Sequence, residues 1–306
     1  DDKHHHADYG TYPAYNAVVE VVGGNRWGCC HNTLQLHSAV KRGATTFFVV
    51  QNLTATPVLK EAYWKKNEYL SVSGSRSSAW TTATMTKAPT LSMVVQLATN
   101  VRNATEAEIA AAPMVPPQHR LLVLEVVEPI RTELDISDWK SVKFRANFWP
   151  REAVGIEQLT IEQQYNDYTP VVGDSANYYQ LQLHGVRFTN CVDCWMKGVR
   201  VTHTGHSPLV NHHIYHNTFE KCDFSQPYYP FLSGIGAVVF GGGAHETLIE
   251  DCAFNEVRHV ELRSSSSGNV IRRCTFIETD PNFALGYSYE NLLEGNNINT
   301  MKGTLW

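Results

Sequence analysis

An eight-residue pattern recurs along the last hundred residues and constrains the fold more than any other feature of this sequence. It reads Asn-x-apolar-x-x-Cys/Asn-x-Phe/Ile. Its four copies lie 30, 22 and 22 residues apart and begin at Asn217, Thr247, Asn269 and Asn291. Residues 194–201 and 154–161 upstream keep the apolar positions. A period of about 22 residues is too short for a pair of helices and is typical of one coil of a solenoid built from strands.

The pattern also predicts what lies inside the coils. Cys and Phe are two residues apart in the first three of these four copies, so they share one face of a strand. Stacked coils bring equivalent residues to the ordinary strand spacing of ~4.8 Å. We expect a thiol column of Cys222, Cys252 and Cys274, and an aromatic column of Phe224, Phe254 and Phe276 continued by Ile298. The asparagines fall at turns, where asparagine tolerates a left-handed backbone.

Residues 181–188 carry the same alternation too close to the next copy to form a separate coil, so we expect them on another face of one coil. The segment from Gly185 to Trp195, followed by residues 198–201 and the repeats, resembles the pectate-lyase-like superfamily over residues 151–306. The resemblance implies an all-β fold, a right-handed parallel β-helix with coils of about 22 residues.

Many members of that superfamily cleave acidic polysaccharides, by calcium-assisted β-elimination or by hydrolysis between paired Asp residues, and others are adhesins or structural proteins. This sequence has no adjacent Asp pair among the coils and no Arg-x-Pro-x-x-Arg segment. No catalytic residue therefore carries over by motif. Calcium is the cofactor that the resemblance implies for a lyase, and the residues themselves establish no cofactor.

Residues 7–150 show strand patterns without the repeat. Strands are predicted at residues 17–22, 46–50, 91–97 and 121–127, a polar loop at 73–78, and a helix near 107–112. Thr105 and Glu108 have the spacing of a capping box for that helix, and Pro113 ends it. We expect a β-rich N-terminal subdomain packed on the start of the solenoid, or irregular early coils.

The two ends carry their own expectations. Residues 1–6, Asp-Asp-Lys-His-His-His, are typical of the remnant of an expression tag, and a metal-binding N-terminus is the alternative. The last residues of the chain come directly after a strand-like segment. This favours a β-helix of residues 151–306 that is truncated at its C-terminus.

Charge and hydropathy exclude two classes of partner. The net charge is −5 without a block of like charges, which argues against a nucleic-acid-binding surface. No stretch approaches the ~18 apolar residues of a membrane span. Two glycosylation sequons, at Asn52 and Asn103, favour an extracellular glycoprotein.

The seven cysteines leave at least one thiol unpaired within a monomer. Neighbouring coils lie within disulfide range, so Cys252 could bond Cys222 or Cys274. Buried thiols that act as small apolar side chains are the favoured interpretation. Cys191 and Cys194 form a Cys-x-x-Cys pair, which is a redox pair, half a zinc site, or packing within a coil.

A candidate catalytic group alternates with apolar residues along one predicted strand. If Val260 and Leu262 face the core, His259, Glu261 and Arg263 face outward together. These side chains suit acid–base chemistry on a polysaccharide, with Arg263 neutralising an acidic sugar. The alternative is a solvated strand face with a surface ion pair.

Histidines and tyrosines supply the candidate binding groups. Five histidines converge if their loops cover one mouth of the solenoid: His203 and His206 as substrate-binding residues, and His212, His213 and His216 as metal ligands. Tyr215, Tyr228 and Tyr229 present rings that suit sugar faces. Chance crowding of histidines and loop packing of tyrosines are the alternatives.

Two functions follow from these observations. The first is a secreted carbohydrate-active β-helix that acts on or binds an acidic polysaccharide, as a lyase or a glycoside hydrolase. The second is a non-catalytic extracellular glycoprotein that self-associates or adheres through its solenoid. Assays on pectin, alginate and glucuronan, with and without calcium, separate the two.

Overall fold

The computed structural model describes residues 17–25, 33–54, 64–76, 90–136, 139–146, 148–164, 183–228, 236–263, 265–284 and 288–299. The chain divides into two compact units. One comprises residues 24–150, and the other combines the residues before 24 with those after 150. Among the described residues, no helix has the length and hydropathy needed to cross a membrane.

The first half of the chain contains ten described strands and one helix. In order, they are β1 Ala17–Val22, β2 Gly24–Asn25, β3 Thr33–Leu36, β4 Thr46–Asn52, β5 Tyr69–Arg76, β6 Thr90–Gln96, β7 Arg102–Asn103, α1 Glu106–Ala111, β8 His119–Glu125, β9 Trp139–Arg145 and β10 Phe148–Trp149.

The second half contains only short strands among its described residues. They are β11 Arg151–Glu152, β12 Gly155–Glu157, β13 Thr160–Glu162, β14 His184–Val192, β15 Trp195–Lys197, β16 Arg200–Thr202, β17 Leu209–Tyr215, β18 Thr218–Glu220 and β19 Asp223–Ser225. They continue with β20 Val238–Gly241, β21 Leu248–Glu250, β22 Ala253–Asn255, β23 Val260–Arg263, β24 Val270–Arg272, β25 Thr275–Ile277, β26 Pro281–Ala284, β27 Leu292–Glu294 and β28 Asn297–Ile298.

These strands, with β1, form three parallel sheets that build the solenoid. Each of its six coils adds one strand to each sheet, except that the first coil adds two, β1 and β11, to the third sheet. The first sheet is β12-β15-β18-β21-β24-β27, the second is β13-β16-β19-β22-β25-β28, and the third is β14-β17-β20-β23-β26 with β1 and β11 at its start. All six sequence copies fall in register on the first two sheets, as predicted. Of residues 181–188, residues 184–188 lie in β14 of the third sheet, which confirms for them the expected position on another face.

The two internal columns are confirmed. Phe254 stacks between Phe224 and Phe276, with ring centroids 5.6 and 5.1 Å apart, and all three rings are fully buried. Burial of each ring contributes about 1.5–3 kcal/mol. In the thiol column, the Cys222 N–H donates to Cys252 Sγ at 3.4 Å. All five described cysteines are buried free thiols, in agreement with the favoured interpretation.

The prediction that the repeat asparagines adopt a left-handed backbone is wrong. The left-handed residue is the one before each asparagine, as at His216, Gly268 and Glu290. The asparagine side chains instead join consecutive coils. Asn269 Oδ1 accepts the Thr247 N–H at 3.0 Å, and Asn291 Oδ1 accepts the Asn269 N–H at 3.1 Å. These backbone N–H groups lie at the turns and have no strand partner there, so the asparagine side-chain oxygens accept their hydrogen bonds.

The unit of residues 24–150 is inserted into the first coil. Both β1 and β11 pair with β14, since Val22 is opposite Thr189 and Arg151 is opposite Cys191. The chain therefore leaves the coil after β1 and re-enters it at β11. This corrects the expected subdomain of residues 7–150, because β1 belongs to the solenoid. The alternation of apolar residues in β1 is typical of any half-buried strand, so the sequence pattern alone could not assign β1 to the solenoid.

Inside the insert, seven strands form an antiparallel sheet in the order β6-β5-β9-β3-β4-β8-β7, and β2 pairs with β10. Irregular early coils are thereby excluded for these strands. The predicted helix and its capping box at Thr105 and Glu108 are confirmed. The expected polar loop at residues 73–78 is wrong over residues 73–76, which continue β5. Glycine at position 74 lets β5 approach its neighbouring strand closely, because a Cβ there would lie 3.0 Å from the Ser141 carbonyl oxygen.

Candidate functional site

The outer face of the third sheet carries the predicted catalytic group. Val260 and Leu262 point into the core, as expected, and the alternation directs Glu261 and Arg263 to the opposite face. Neither side chain is solvated there, since Glu261 is 4% exposed and Arg263 is 6% exposed. Arg263 Nε donates to Glu261 Oε2. The expected solvent-facing strand is therefore corrected to a buried ion pair.

His259 lies just before β23 and pairs with a residue of the next coil. Its Nδ1 is 2.5 Å from Asp280 Oδ1, and the histidine is 5% exposed. Sequence reasoning missed Asp280. The signal that could have found it is the separation of 21 residues, which is close to the length of one coil.

A second ion pair lies in the same column as Glu261. Arg187 on β14 and Glu20 on β1 are 2.8 Å apart, and the buried Val210 and Val239 separate this pair from Glu261. His212 occupies the adjacent column. Burial, followed by repulsion from His213 and Arg263, lowers the pKa of His212 to about 3. This histidine is therefore neutral at physiological pH and offers no cation to a ligand.

The predicted histidines do not meet at one mouth. His203 and His206 precede β17, while His216 follows it, and a strand of seven residues spans about 20 Å. His203 Nδ1 is 3.3 Å from Glu162, and His216 Nδ1 is 3.7 Å from Asp193. Within the described ranges, no group of three His, Cys, Asp or Glu side chains could hold a metal. The geometry thus gives the metal prediction for His212, His213 and His216 no support.

The tyrosines are also dispersed. Tyr228 OH donates to the Gln163 carbonyl at 3.0 Å, and its ring lies 5.9 Å from that of His203. Tyr215 is buried at the other end of β17 and stacks on His216 at 4.0 Å. Tyr229 lies outside the described residues.

A groove of about 400 Å³ lies on the outer face of the first sheet. Its floor includes the backbone of the second coil at Cys194 and Met196. The side chains that give it chemical character are Glu157, Asp193, Trp195, Lys197, His216 and Glu220. We call it the Trp195 groove.

Two contacts hold the Trp195 indole in place. Gly155 is its register partner on the coil below, and a Cβ at Gly155 would lie 2.1 Å from Trp195 Cε2. The ring therefore covers the glycine directly. Trp195 Nε1 donates to Glu157 Oε1 at 2.7 Å, which fixes the ring within its plane.

Charged side chains flank the indole. Lys197 Nζ and Lys221 Nζ lie 2.9 and 2.8 Å from the carboxylate of Glu220. Their hydrogen bonds lower the pKa of Glu220, so this carboxylate stays ionised. Asp193 has His216 as its neighbour across the groove mouth.

Sequence reasoning missed the Trp195 groove, although Trp195 belongs to a recognised repeat copy. A signal was present at the second position of the pattern, which points away from the core. Tryptophan occupies that position in one copy and Gly155 occupies it in the preceding copy. A large ring above a glycine on adjacent coils is a packed pair that a register argument can find.

Comparisons with known proteins agree with the coil geometry. Residues 171–305 match a family model described as a right handed beta helix region. No curated protein matches the chain. The family match and the three parallel sheets cover the same coils, so both indicate the same fold for this part of the chain.

Three solved structures illustrate the likeness. Tailspike protein gp49 from Pseudomonas phage LKA1 is 8% identical, with 86% of this chain and 43% of that chain covered and a TM-score of 0.34. The Pseudomonas phage phi297 tailspike gp61 is 10% identical, with coverages of 87% and 55% and a TM-score of 0.35. The catalytic domain of a GH87 alpha-1,3-glucanase in complex with nigerose is 8% identical, with coverages of 90% and 74% and a TM-score of 0.23.

This chain spans about half the length of the two tailspike chains. The family match and the register of the six coils lead to one conclusion. The solenoid of this chain is a right-handed parallel β-helix of the kind that the family model describes.

Proposed function

We propose that this chain is a carbohydrate-active β-helix protein that binds a polysaccharide in the Trp195 groove. The observation that carries the proposal is the indole fixed over Gly155 with carboxylates beside it. An aromatic face packs on the apolar C–H face of a sugar ring, and carboxylate oxygens accept hydrogen bonds from its hydroxyl groups. The groove volume of about 400 Å³ is in the range of ligand sites.

The groove supports binding better than bond cleavage. Glycoside hydrolysis needs a carboxylic acid whose pKa is raised, so that it holds a proton to donate. The pKa of Glu220 is lowered by Lys197 and Lys221. This carboxylate can accept hydrogen bonds from a sugar but cannot serve as the acid.

A lyase or hydrolase site at His259, Glu261 and Arg263 remains a separate proposal. A polymer would have to reach side chains that are at most 6% exposed. If the group is catalytic, Glu261→Gln and Arg263→Ala remove the cleavage of pectin, alginate or glucuronan, which is measured as unsaturated and reducing sugar ends. Full activity in both variants would remove the assignment.

We further propose an extracellular location. The two sequon asparagines support it, because Asn103 is exposed on β7 and Asn52 is partly exposed at the end of β4. Expression in a glycosylating host tests it. Loss of mass on enzymatic deglycosylation, absent in the Asn52→Gln/Asn103→Gln double variant, is the expected result.

Binding is tested with Trp195→Ala and a panel of neutral, acidic and amine-bearing polysaccharides in affinity electrophoresis. We expect binding to weaken about tenfold, since one aromatic stack contributes up to ~1.5 kcal/mol. Trp149→Ala is the matched control, because Trp149 is 58% exposed on the inserted unit. Equal binding by Trp195→Ala and the parent protein would contradict the proposal.

A further inference from the structure

The charge around the Trp195 indole indicates which sugars the groove prefers. Its lining contains three carboxylates, of Glu157, Asp193 and Glu220, and one lysine, Lys197. We infer that the groove selects sugars that carry a protonated amine, an inference that rests on the proposed function.

Lys197 is the register neighbour of both Glu157 and Glu220, but its ammonium group bonds Glu220. Glu220 is held between Lys197 and Lys221. Glu157 Oε1 accepts the hydrogen bond of the neutral Trp195 indole, which brings no positive charge. Asp193 faces His216 at 3.7 Å, and that imidazole is a cation only when protonated. Among the described residues, neither Glu157 nor Asp193 is therefore bonded to a lysine or an arginine.

An ammonium group on a sugar matches this arrangement in two ways. A cation above the face of tryptophan is attracted by the ring quadrupole. The same cation lies within reach of carboxylates that border the ring, and opposite charges at such distances attract even where solvent has access. The uronate groups of an acidic polysaccharide would meet these carboxylates with like charge.

This inference departs from the acidic polysaccharide that the sequence predicts. That prediction relies on Arg263 to neutralise an acidic sugar. Arg263 is buried and bonded to Glu261, so its guanidinium is committed within the protein. The charged side chains of the accessible Trp195 groove therefore determine whether acidic or amine-bearing sugars bind more tightly.

The experiment compares two ligands that share one backbone, which are glucosamine oligomers and their N-acetylated counterparts. Isothermal titration calorimetry with the unmodified protein at low salt and about pH 7 keeps much of the amine protonated and the carboxylates ionised. We expect glucosamine oligomers to bind about tenfold more tightly, and added salt to reduce the difference. Oligogalacturonate should bind more weakly than both.

Variants assign the preference to the groove. Glu157→Gln and Asp193→Asn keep the side-chain shape and remove one charge each, and each should reduce the preference about threefold. Glu294→Gln is the matched control, since Glu294 occupies the column of Glu157 on the sixth coil, outside the groove. It should leave the preference unchanged.

The possible outcomes are distinct. Equal affinity for the amine and N-acetyl oligomers, or tighter binding of oligogalacturonate, overturns the amine preference and leaves the proposed function standing. No binding of any oligomer overturns both. Oligolysine that binds as tightly as the glucosamine oligomers overturns the preference as well, because charge without a sugar would then suffice.

Discussion

The buried pair of Glu261 and Arg263 illustrates how burial changes the contribution of two charged residues. Removing two ions from water costs several kcal/mol each, and their mutual attraction returns that cost only while both are present. Exposed pairs behave differently, because water solvates either partner when the other is lost. Arg200 and Asp223, with side-chain exposures of 58% and 40%, form such a pair on the same solenoid.

We predict that Glu261→Gln lowers the free energy of unfolding by about 3–5 kcal/mol, because it removes the charge of one member of a buried ion pair. Urea unfolding followed by circular dichroism measures this. Asp223→Asn is the control and should cost about 1 kcal/mol or less. Equal midpoints for the two variants would mean that water reaches Glu261 in solution.

At the scale of the element, the two sheets with outward polar positions could be predicted from the repeat, and the third could be predicted only at residues 181–188 and 259–263. Positions such as Met196 and Phe219 are buried between exposed or half-exposed neighbours, which gives the period of 2. Strands of the third sheet, such as β20 and β23, are buried at every residue. Both of their faces are covered, so their burial does not follow the period of 2.

The same reasoning explains which parts of the candidate site escaped prediction. His259 was found as a local pattern, whereas its partner Asp280 lies one coil away and depends on the register. Trp195 and Gly155 likewise meet only when coils are stacked. The insertion of residues 24–150 was not predictable either, because β1 joins the solenoid through a pairing with β14, far along the chain.

The asparagines at the turns make a prediction about coil cohesion. Asn269 accepts the Thr247 N–H and donates to the Ala244 carbonyl at 2.9 Å and to Asn291 Oδ1 at 2.9 Å. Asn269→Ala should cost about 1–3 kcal/mol, since it leaves buried groups of two coils without partners. The exposed Asn297 serves as control, and Asn297→Ala should change the urea midpoint little. A stable Asn269→Ala variant would show that the ladder is dispensable.

For the whole molecule, the buried histidines couple folding to pH. Burial lowers the pKa of His206 to about 4 and that of His212 to about 3, and it also lowers the pKa of His184. The rings of His184 and His206 lie 4.5 Å apart, so protonating one disfavours protonating the other. In the unfolded chain the pKa of each histidine returns to about 6.5.

Below about pH 6.5 the unfolded chain therefore binds more protons than the folded protein, and the free energy of unfolding falls as pH decreases toward 4. His206 and His212 together give a slope of up to about 2.7 kcal/mol per pH unit in that window. Urea midpoints between pH 7 and 5 measure it. His206→Gln should flatten the curve, because glutamine takes up no proton. His203→Gln is the control, since the His203 side chain is 40% exposed. A parent protein whose stability is constant over this range would mean that these histidines are hydrated in the folded state.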